Sequence, residues 1–167
     1  MARAPIKPRI GPPLFEIADA AASPSAESSG RRLVIEADGG SRGNPGPAAY
    51  GALVLDAETG EVLNSEGLGL GRATNNVAEY SGLIAGLEMA HAIDPNAAVD
   101  VRMYSKLVIE QMAGHWLVKH PDMVPLVARA RQLRPARVTW SWVPREQNKA
   151  ADALLNAALD GQPRPRR

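Results

Sequence analysis

The sequence of 167 residues contains no cysteine, only one phenylalanine and only three histidines. The lack of cysteine excludes disulfides, a thiol nucleophile and thiolate-ligated metal sites. With so few histidines, a bound metal ion would have to be held by oxygen ligands, which favours Mg²⁺ or Mn²⁺ over Zn²⁺. The sequence also has no apolar run approaching the ~20 residues of a membrane span, and its amino terminus lacks the apolar core of a secretory signal. We therefore expect a cytoplasmic protein with no membrane partner.

The composition divides the chain into three parts. Residues 1–30 are rich in Pro, Ala and Ser, which is typical of disordered segments, and we predict a disordered arm there. Residues 31–161 have the length of one domain. Residues 162–167 are basic and contain two prolines, so we predict a loose tail. The formal net charge of +1 does not by itself indicate or exclude a nucleic-acid partner.

The periodicity of apolar residues predicts an α/β domain. An apolar strand leads to Asp38, a loop rich in glycine and proline follows, and two more strands complete an antiparallel meander. The next strand follows a helical segment, so we expect it to lie parallel to the first strand. The predicted strands cover 33–38, 50–56, 61–70, 99–104 and 137–143, and the predicted helices cover 77–94, 105–112, 123–133 and 149–159. This order predicts a five-stranded mixed sheet flanked by helices.

Three acidic residues occupy positions that such a fold would bring to one edge of the sheet. Asp38 ends the first strand, Glu79 lies in the first turn of a helix, and Asp152 lies early in the last helix. Carboxylates gathered there would repel each other unless a cation neutralised them, and two divalent ions could hold the attacking water and the leaving oxygen of a phosphodiester. A purely structural interpretation also stands: Asp38 could be an acid on a surface hairpin, and Glu79 could form a capping box with Asn76.

Three segments together resemble type 1 ribonuclease H, and most of all its short bacterial branch without a basic handle. The segments are DGGSRGNPGP at 38–47, TNNVAEY at 74–80 and WSWVPREQNKAAD at 140–152, and the similarity extends over residues 32–160. The resemblance implies a ribonuclease H-like fold and an enzyme that cuts the RNA strand of RNA–DNA hybrids. It also implies two Mg²⁺ ions, with Mn²⁺ as a possible substitute. We expect a monomer; related actinobacterial chains can be fused to a phosphatase domain.

The resemblance also assigns roles to individual residues. It places Asp38, Glu79 and Asp152 as catalytic metal ligands, with Glu79 also touching a ribose 2′-hydroxyl. That hydroxyl distinguishes RNA from DNA, and a fixed phosphate pocket sets the register of the substrate without reading bases. Substrate contacts are implied for five more residues, the first three in the minor groove of the hybrid and the last two at a DNA-strand phosphate: Asn44, Asn75, Lys106, Arg72 and Thr74.

Two positions depart from the pattern of the family. The family has an aspartate at the end of the fourth strand, and this chain has Tyr104 there. Tyrosine is normally neutral, with an unperturbed pKa of about 10, so one anion of the metal site is missing. Arg145 stands where the family has a flexible histidine.

These departures leave three hypotheses. The first is a hybrid-specific nuclease impaired by Tyr104. The second is a catalytically weak or inactive hybrid-binding module of the same fold. The third is a structural domain whose acids are only helix caps. Arg72 and Thr74 argue against the third hypothesis, because caps alone do not need the residues of a phosphate pocket, and position 104 distinguishes the first two.

Overall fold

The computed structural model describes residues 27–167, so the predicted amino-terminal arm lies outside the described residues except for 27–30, which are irregular and exposed. The five strands are β1 (Arg32–Ser41), β2 (Gly46–Asp56), β3 (Val62–Ala73), β4 (Ala98–Met103) and β5 (Val138–Trp142). The four α-helices of this part of the chain are α1 (Asn75–Ile93), α2 (Lys106–Met112), α3 (Val124–Gln132) and α4 (Lys149–Leu159). Two short 3₁₀ turns, Pro121–Met123 and Arg145–Gln147, precede α3 and α4.

The strands form one mixed sheet in the order β3-β2-β1-β4-β5. The pairs β1–β2 and β2–β3 are antiparallel, whereas β1–β4 and β4–β5 are parallel. The predicted meander and the parallel strands after it are therefore confirmed. Because β1 lies at the centre and β4 runs parallel to it, the carboxyl ends of these two strands meet at the same edge of the sheet.

The hydrophobic core lies mainly between α1 and the central strands. Tyr80, Leu83 and Leu87 are spaced three and four residues apart on α1, so they point to the same side of the helix. All three are buried, together with Ile35 of β1 and Val101 of β4. Burying a side chain of this size contributes about 1.5–3 kcal/mol. This packing fixes the position of α1 relative to the ends of β1 and β4, and with it the position of Glu79.

Strand β1 continues through Ser41, so Asp38 lies within the strand and not at its end as the sequence predicted. Glycines suggested a loop, but Gly39 and Gly40 are paired with β2. Because glycine has no Cβ atom, the helices can pack closely against the strand here. A Cβ atom at Gly39 would collide with the backbone of α1, and Gly40 faces Leu155 of α4. Successive strand residues point to opposite faces, so α1 and α4 cover opposite faces of the sheet beside Asp38.

Gly82 provides a test of this close packing between α1 and β1. A Cβ atom at Gly82 would lie 2.7 Å from the carbonyl oxygen of Asp38. We expect Gly82→Ala to lower the free energy of unfolding by about 2 kcal/mol through overpacking, although Ala is the better helix former. The matched control is Gly69→Ala on β3, where an added Cβ has no atom within 4 Å. Equal urea midpoints for the two variants would contradict the role assigned to Gly82.

The carboxyl-terminal residues differ from the predicted loose tail. Gly67 of β3 and Arg164 exchange two backbone hydrogen bonds, each 2.7 Å long. The guanidinium of Arg166 donates to both carboxylate oxygens of Glu66, at 2.6 and 2.8 Å, and to Glu88 of α1 at 3.1 Å. Glu66 is almost fully buried, and a buried charge requires a partner. The tail is therefore attached to β3 because it neutralises an acid inside the domain.

Candidate active site

A cleft of about 460 Å³ opens at the edge of the sheet where β1 and β4 approach their carboxyl ends. It includes residues of β1, of the amino-terminal ends of α1, α2 and α4, and of the connections before α2 and α4. Its lining residues are Asp38, Gly39, Asn75, Glu79, Tyr104, Ser105, Lys106, Leu107, Arg145, Asn148, Asp152 and Leu155. All three acids that the sequence singled out therefore lie in one cleft.

Asp38 is the most strongly perturbed of these acids. Its pKa is raised to about 7, mainly by burial and also by the neighbouring carboxylates of Asp152 and Glu79, against a hydrogen bond from the Gly39 amide that lowers it. The Asp38 and Asp152 side chains are within hydrogen-bonding distance of each other. Burial also raises the pKa of Glu79, and a hydrogen bond with Ser105 opposes that shift. The cleft thus holds acids whose negative charges are mutually unfavourable.

A divalent cation would relieve this repulsion, and the donor set fits one in its chemistry. The acidic residues of the cleft offer only oxygen atoms, as Mg²⁺ and Mn²⁺ prefer, and Asp38 and Asp152 are adjacent. However, no group of three or more His, Asp or Glu side chains in residues 27–167 is arranged to hold a metal ion as it stands. The residues fit a cation through the Asp38–Asp152 pair, with Glu79 close enough to interact with Asp38 electrostatically.

The raised pKa of Asp38 predicts how stability depends on pH. Between pH 4 and pH 7 the folded state binds this proton more tightly than the unfolded state, so the free energy of unfolding falls as pH rises. The shift from 3.8 to about 7 sets an upper limit of about 4 kcal/mol on this loss, at about 1.4 kcal/mol per unit. We expect the stability advantage of Asp38→Asn over the wild type to be larger at pH 8 than at pH 5, both measured without divalent ions. The same difference at both pH values would contradict this assignment.

Glu79 does not form the capping box that the sequence also allowed. Helix α1 begins at Asn75 and its N-cap is Thr74, whose side-chain oxygen accepts a hydrogen bond from the Val77 amide at 3.3 Å. Because Thr74 satisfies the end of the helix, Glu79 is left to point into the cleft, where it meets Ser105. Ser105 is itself the N-cap of α2, so Glu79 links the starts of two helices.

Tyr104 lines the cleft in the position directly after β4, and 42% of its surface is exposed. Its carbonyl oxygen accepts a 2.7 Å hydrogen bond from the indole Nε1 of Trp142, and the two rings lie 6.1 Å apart at an angle of 36°. The guanidinium carbon of Arg145 lies 5.3 Å from the centre of the Tyr104 ring. An aromatic ring and a guanidinium group therefore line the same cleft as the acids.

The residues expected to contact substrate lie in or beside the cleft. Asn75 and Lys106 line it. Asn44 lies outside the lining but accepts a hydrogen bond from the Asn75 amide at 3.1 Å. Arg72 and Thr74, which do not line the cleft, are next to it where β3 ends and α1 begins. Two of these five residues thus line the cleft, and a role of all five in substrate binding stays a prediction.

Asn148 belongs to the cleft, and its place directly before the predicted helix 149–159 also predicts from the sequence that it caps that helix. It precedes α4 as predicted, but its side chain makes no capping hydrogen bond. Its amide instead donates to the carbonyl oxygen of Ala37 at 3.1 Å, and its buried Oδ1 atom has no partner among the described residues. Asn148 therefore joins α4 to β1 four residues before Asp152. The spacing alone was a signal that it lies one turn from an acid of the site.

The family model described as "Reverse transcriptase-like" matches residues 36–158, which include all of the acids in the cleft. A solved structure of the amino-terminal RNase H domain of rv2228c from Mycobacterium tuberculosis is 52% identical, with a TM-score of 0.75 over 79% of this chain and 96% of that one. The chain belongs to the type 1 ribonuclease H family. The resemblance found in the sequence is thereby confirmed.

Two further relatives show how far this type 1 ribonuclease H chain extends. LC11-RNase H1, solved in complex with RNA/DNA hybrid, is 38% identical, with a TM-score of 0.73 over 77% of this chain and 97% of that one. The "Bifunctional protein Rv2228c" of Mycobacterium tuberculosis is 54% identical over 131 residues, which are 77% of this chain. This ribonuclease H chain spans only 36% of the length of that bifunctional protein. None of the helices in residues 27–167 has the length and hydropathy needed to cross a membrane.

Proposed function

We propose that this protein hydrolyses the RNA strand of RNA–DNA hybrids and that Tyr104 limits its rate. The observation that carries the proposal is the cleft itself. Asp38, Glu79 and Asp152 come from three separate elements and line one opening, together with Asn75 and Lys106. Helix caps alone would not require three acids in one cleft, two of them, Asp38 and Glu79, with raised pKa values.

A divalent metal ion, which the family generally uses, would polarise a phosphoryl oxygen and lower the pKa of a bound water molecule. In this chain Asp38 and Asp152 would hold one ion, and Glu79 would complete its ligands or those of a second ion. Asp38 with a pKa of about 7 must lose its proton to act as a ligand, so we expect metal affinity to rise with pH between 6 and 8. Two Mg²⁺ ions are our proposal for the active form.

Substrate recognition would use the polar surface around the acids. Asn44, Asn75 and Lys106 would contact the minor groove of the hybrid, where ribose 2′-hydroxyls are displayed. The hydrogen bond from the Asn75 backbone amide would hold the Asn44 side chain, and the Ser41 amide and hydroxyl, which donate to Asn75 Oδ1, would hold the side chain of Asn75. Arg72 and Thr74 would bind a phosphate of the DNA strand at the start of α1, where backbone amides and the helix dipole favour an anion.

The test is a cleavage and binding assay on four labelled duplexes of the same sequence: the hybrid, double-stranded DNA, double-stranded RNA, and a hybrid with 2′-O-methyl groups on the RNA strand. We expect cleavage of the unmodified hybrid alone, dependent on Mg²⁺ or Mn²⁺ and abolished by Asp38→Asn. Arg32→Gln is the control, because Arg32 lies at the opposite end of β1 from the cleft. Preferential binding of the hybrid without any cleavage in either metal would favour the inactive binding module. Equal cleavage of double-stranded DNA would contradict the substrate assignment.

A further inference from the structure

Arg145 is held in the cleft by an aromatic ring. Its guanidinium carbon lies 5.3 Å from the centre of the Tyr104 ring, and within residues 27–167 no carboxylate lies within ion-pair distance of it. Attraction to the face of a ring stabilises a cation without using the N–H donors of a guanidinium. Because those donors are directional and always charged, an arginine held in this way is prepared to bind an anion.

The ring that carries Arg145 is fixed on its other side by Trp142. The indole Nε1 of Trp142 donates to the Tyr104 carbonyl oxygen at 2.7 Å, and the two ring centres lie 6.1 Å apart. Arg145 itself begins the short turn Arg145–Gln147 between β5 and α4. The Val143 amide ties this connection to β4 through a 3.0 Å hydrogen bond to Met103. Both ends of the cation–ring contact are therefore anchored to the sheet.

The position of Arg145 in the cleft indicates which anion it would bind. Tyr104 and Arg145 line the same cleft as Asp38 and Asp152, and the backbone of a nucleic acid entering that cleft would bring phosphates beside negatively charged acids. A cation fixed at the rim would offset that repulsion and pair with a phosphate in a bidentate manner. Tyr104 occupies the position where the family has an acid. At that position this chain therefore has an aromatic ring that holds Arg145, and not a carboxylate that could bind a metal ion.

We propose that Arg145 binds a backbone phosphate of the nucleic acid in the cleft and that Tyr104 is the positioning residue that holds it there. This inference rests on the proposed function, because it takes the occupant of the cleft to be an RNA–DNA hybrid. It assigns to Tyr104 a role in binding that is independent of metal ions. The role requires the ring and not the phenolic hydroxyl, whereas a role for the hydroxyl would require the reverse.

The experiment measures binding of a labelled hybrid and of double-stranded DNA in EDTA over a series of salt concentrations. We expect Arg145→Gln to weaken hybrid binding about fivefold and to reduce the slope of log K against log salt by about one, since one phosphate contact is lost. Tyr104→Leu should weaken binding about threefold, Tyr104→Phe should match the wild type, and Tyr104→Leu combined with Arg145→Gln should equal Arg145→Gln alone. Arg32→Gln, remote from the cleft, is the matched control and should keep the wild-type slope.

Two outcomes would overturn the inference: a wild-type slope for Arg145→Gln, or equal losses for Tyr104→Leu and Tyr104→Phe. Melting temperatures of each variant, measured alongside, separate a loss of binding from a loss of fold, and Tyr104→Phe supplies a comparison in which the ring is kept.

The same binding experiment gives a different result if the proposed function is wrong. If the wild type binds hybrid and double-stranded DNA equally while Arg145→Gln still changes the slope, the hybrid preference is wrong and the phosphate contact stands.

Discussion

Tyr104→Asp is expected to raise Mg²⁺-dependent cleavage of an RNA–DNA hybrid by about 100-fold or more. Position 104 directly follows β4 and lines the cleft with Asp38 and Asp152, so an aspartate there would add a fourth carboxylate to the site. Loss of an outer partner of a metal ligand typically costs 10–100-fold in affinity or activity, and the return of a direct ligand should exceed about 100-fold. The measurement is the initial cleavage rate at saturating hybrid and several Mg²⁺ concentrations.

Two other substitutions at position 104 make this test more specific. Tyr104→Asn replaces the phenol by a short side chain with a neutral carbonyl oxygen, which can act as a metal ligand but adds no charge, so we expect a smaller gain than with aspartate. Tyr104→Phe adds no ligand and should leave the rate unchanged. The expected order of rates is therefore Asp, then Asn, then Tyr and Phe together. Equal rates for Tyr104→Asp and the wild type would show that position 104 does not belong to the metal site.

Arg166→Met is expected to destabilise the protein by about 2–3 kcal/mol, the largest effect that we predict outside the cleft. Only 4% of the surface of Glu66 is exposed, and its carboxylate accepts hydrogen bonds from Arg166 and from the Tyr50 hydroxyl, the latter at 2.6 Å. Removing one partner of a buried ion pair leaves an uncompensated charge, which typically costs about 3–5 kcal/mol. The partial exposure of Arg166 lowers that expectation. Urea unfolding at pH 7 measures the change.

Two further variants decide whether the ion pair is the cause. Arg164→Met makes the same substitution two residues away, where the structure uses only the backbone in its bridge to Gly67, and we expect it to be within ~0.5 kcal/mol of the wild type. Glu66→Gln combined with Arg166→Met removes both charges and should recover part of the loss. If the double variant were no more stable than Arg166→Met, the buried charge would not be the source of the effect.

The same ion pair adds a pH dependence at the acid end of the scale. Hydrogen bonds from Arg166 lower the pKa of Glu66 below its ordinary value of 4.5, against the effect of burial. A carboxyl whose folded pKa is depressed stabilises the protein above its unfolded pKa and loses this contribution as pH falls through its folded pKa. The penalty of Arg166→Met should therefore shrink as pH falls below about 4.5.

The sequence predicted the order of elements because each element carries its own local signal. The last helix was predicted at 149–159, and α4 covers Lys149–Leu159, because Asn148 precedes it and Asp160 with Gly161 ends it. Alternating apolar residues likewise located all five strands to within a few positions. The grouping of the three acids in one cleft followed from this topology and from the resemblance to the family.

The differences arise where contacts between distant residues override the local signal. Gly39 and Gly40 suggested a loop, but they extend β1 because two helices pack against them from opposite faces. The attachment of Arg166 depends on a buried acid 100 residues earlier in the chain, which no local pattern can reveal. The connection from Asn148 to the Ala37 carbonyl group is of the same kind.

The contact between Arg164 and Gly67 covers part of one edge of the sheet. Strand β3 is at the margin of the sheet, and strands at a margin offer unsatisfied N–H and C=O groups to other molecules. The exchange of two hydrogen bonds with Arg164 occupies these groups at Gly67, near the middle of β3, where a foreign strand would otherwise pair. Arg164 thus reduces the number of backbone groups that β3 leaves open to pairing with another strand.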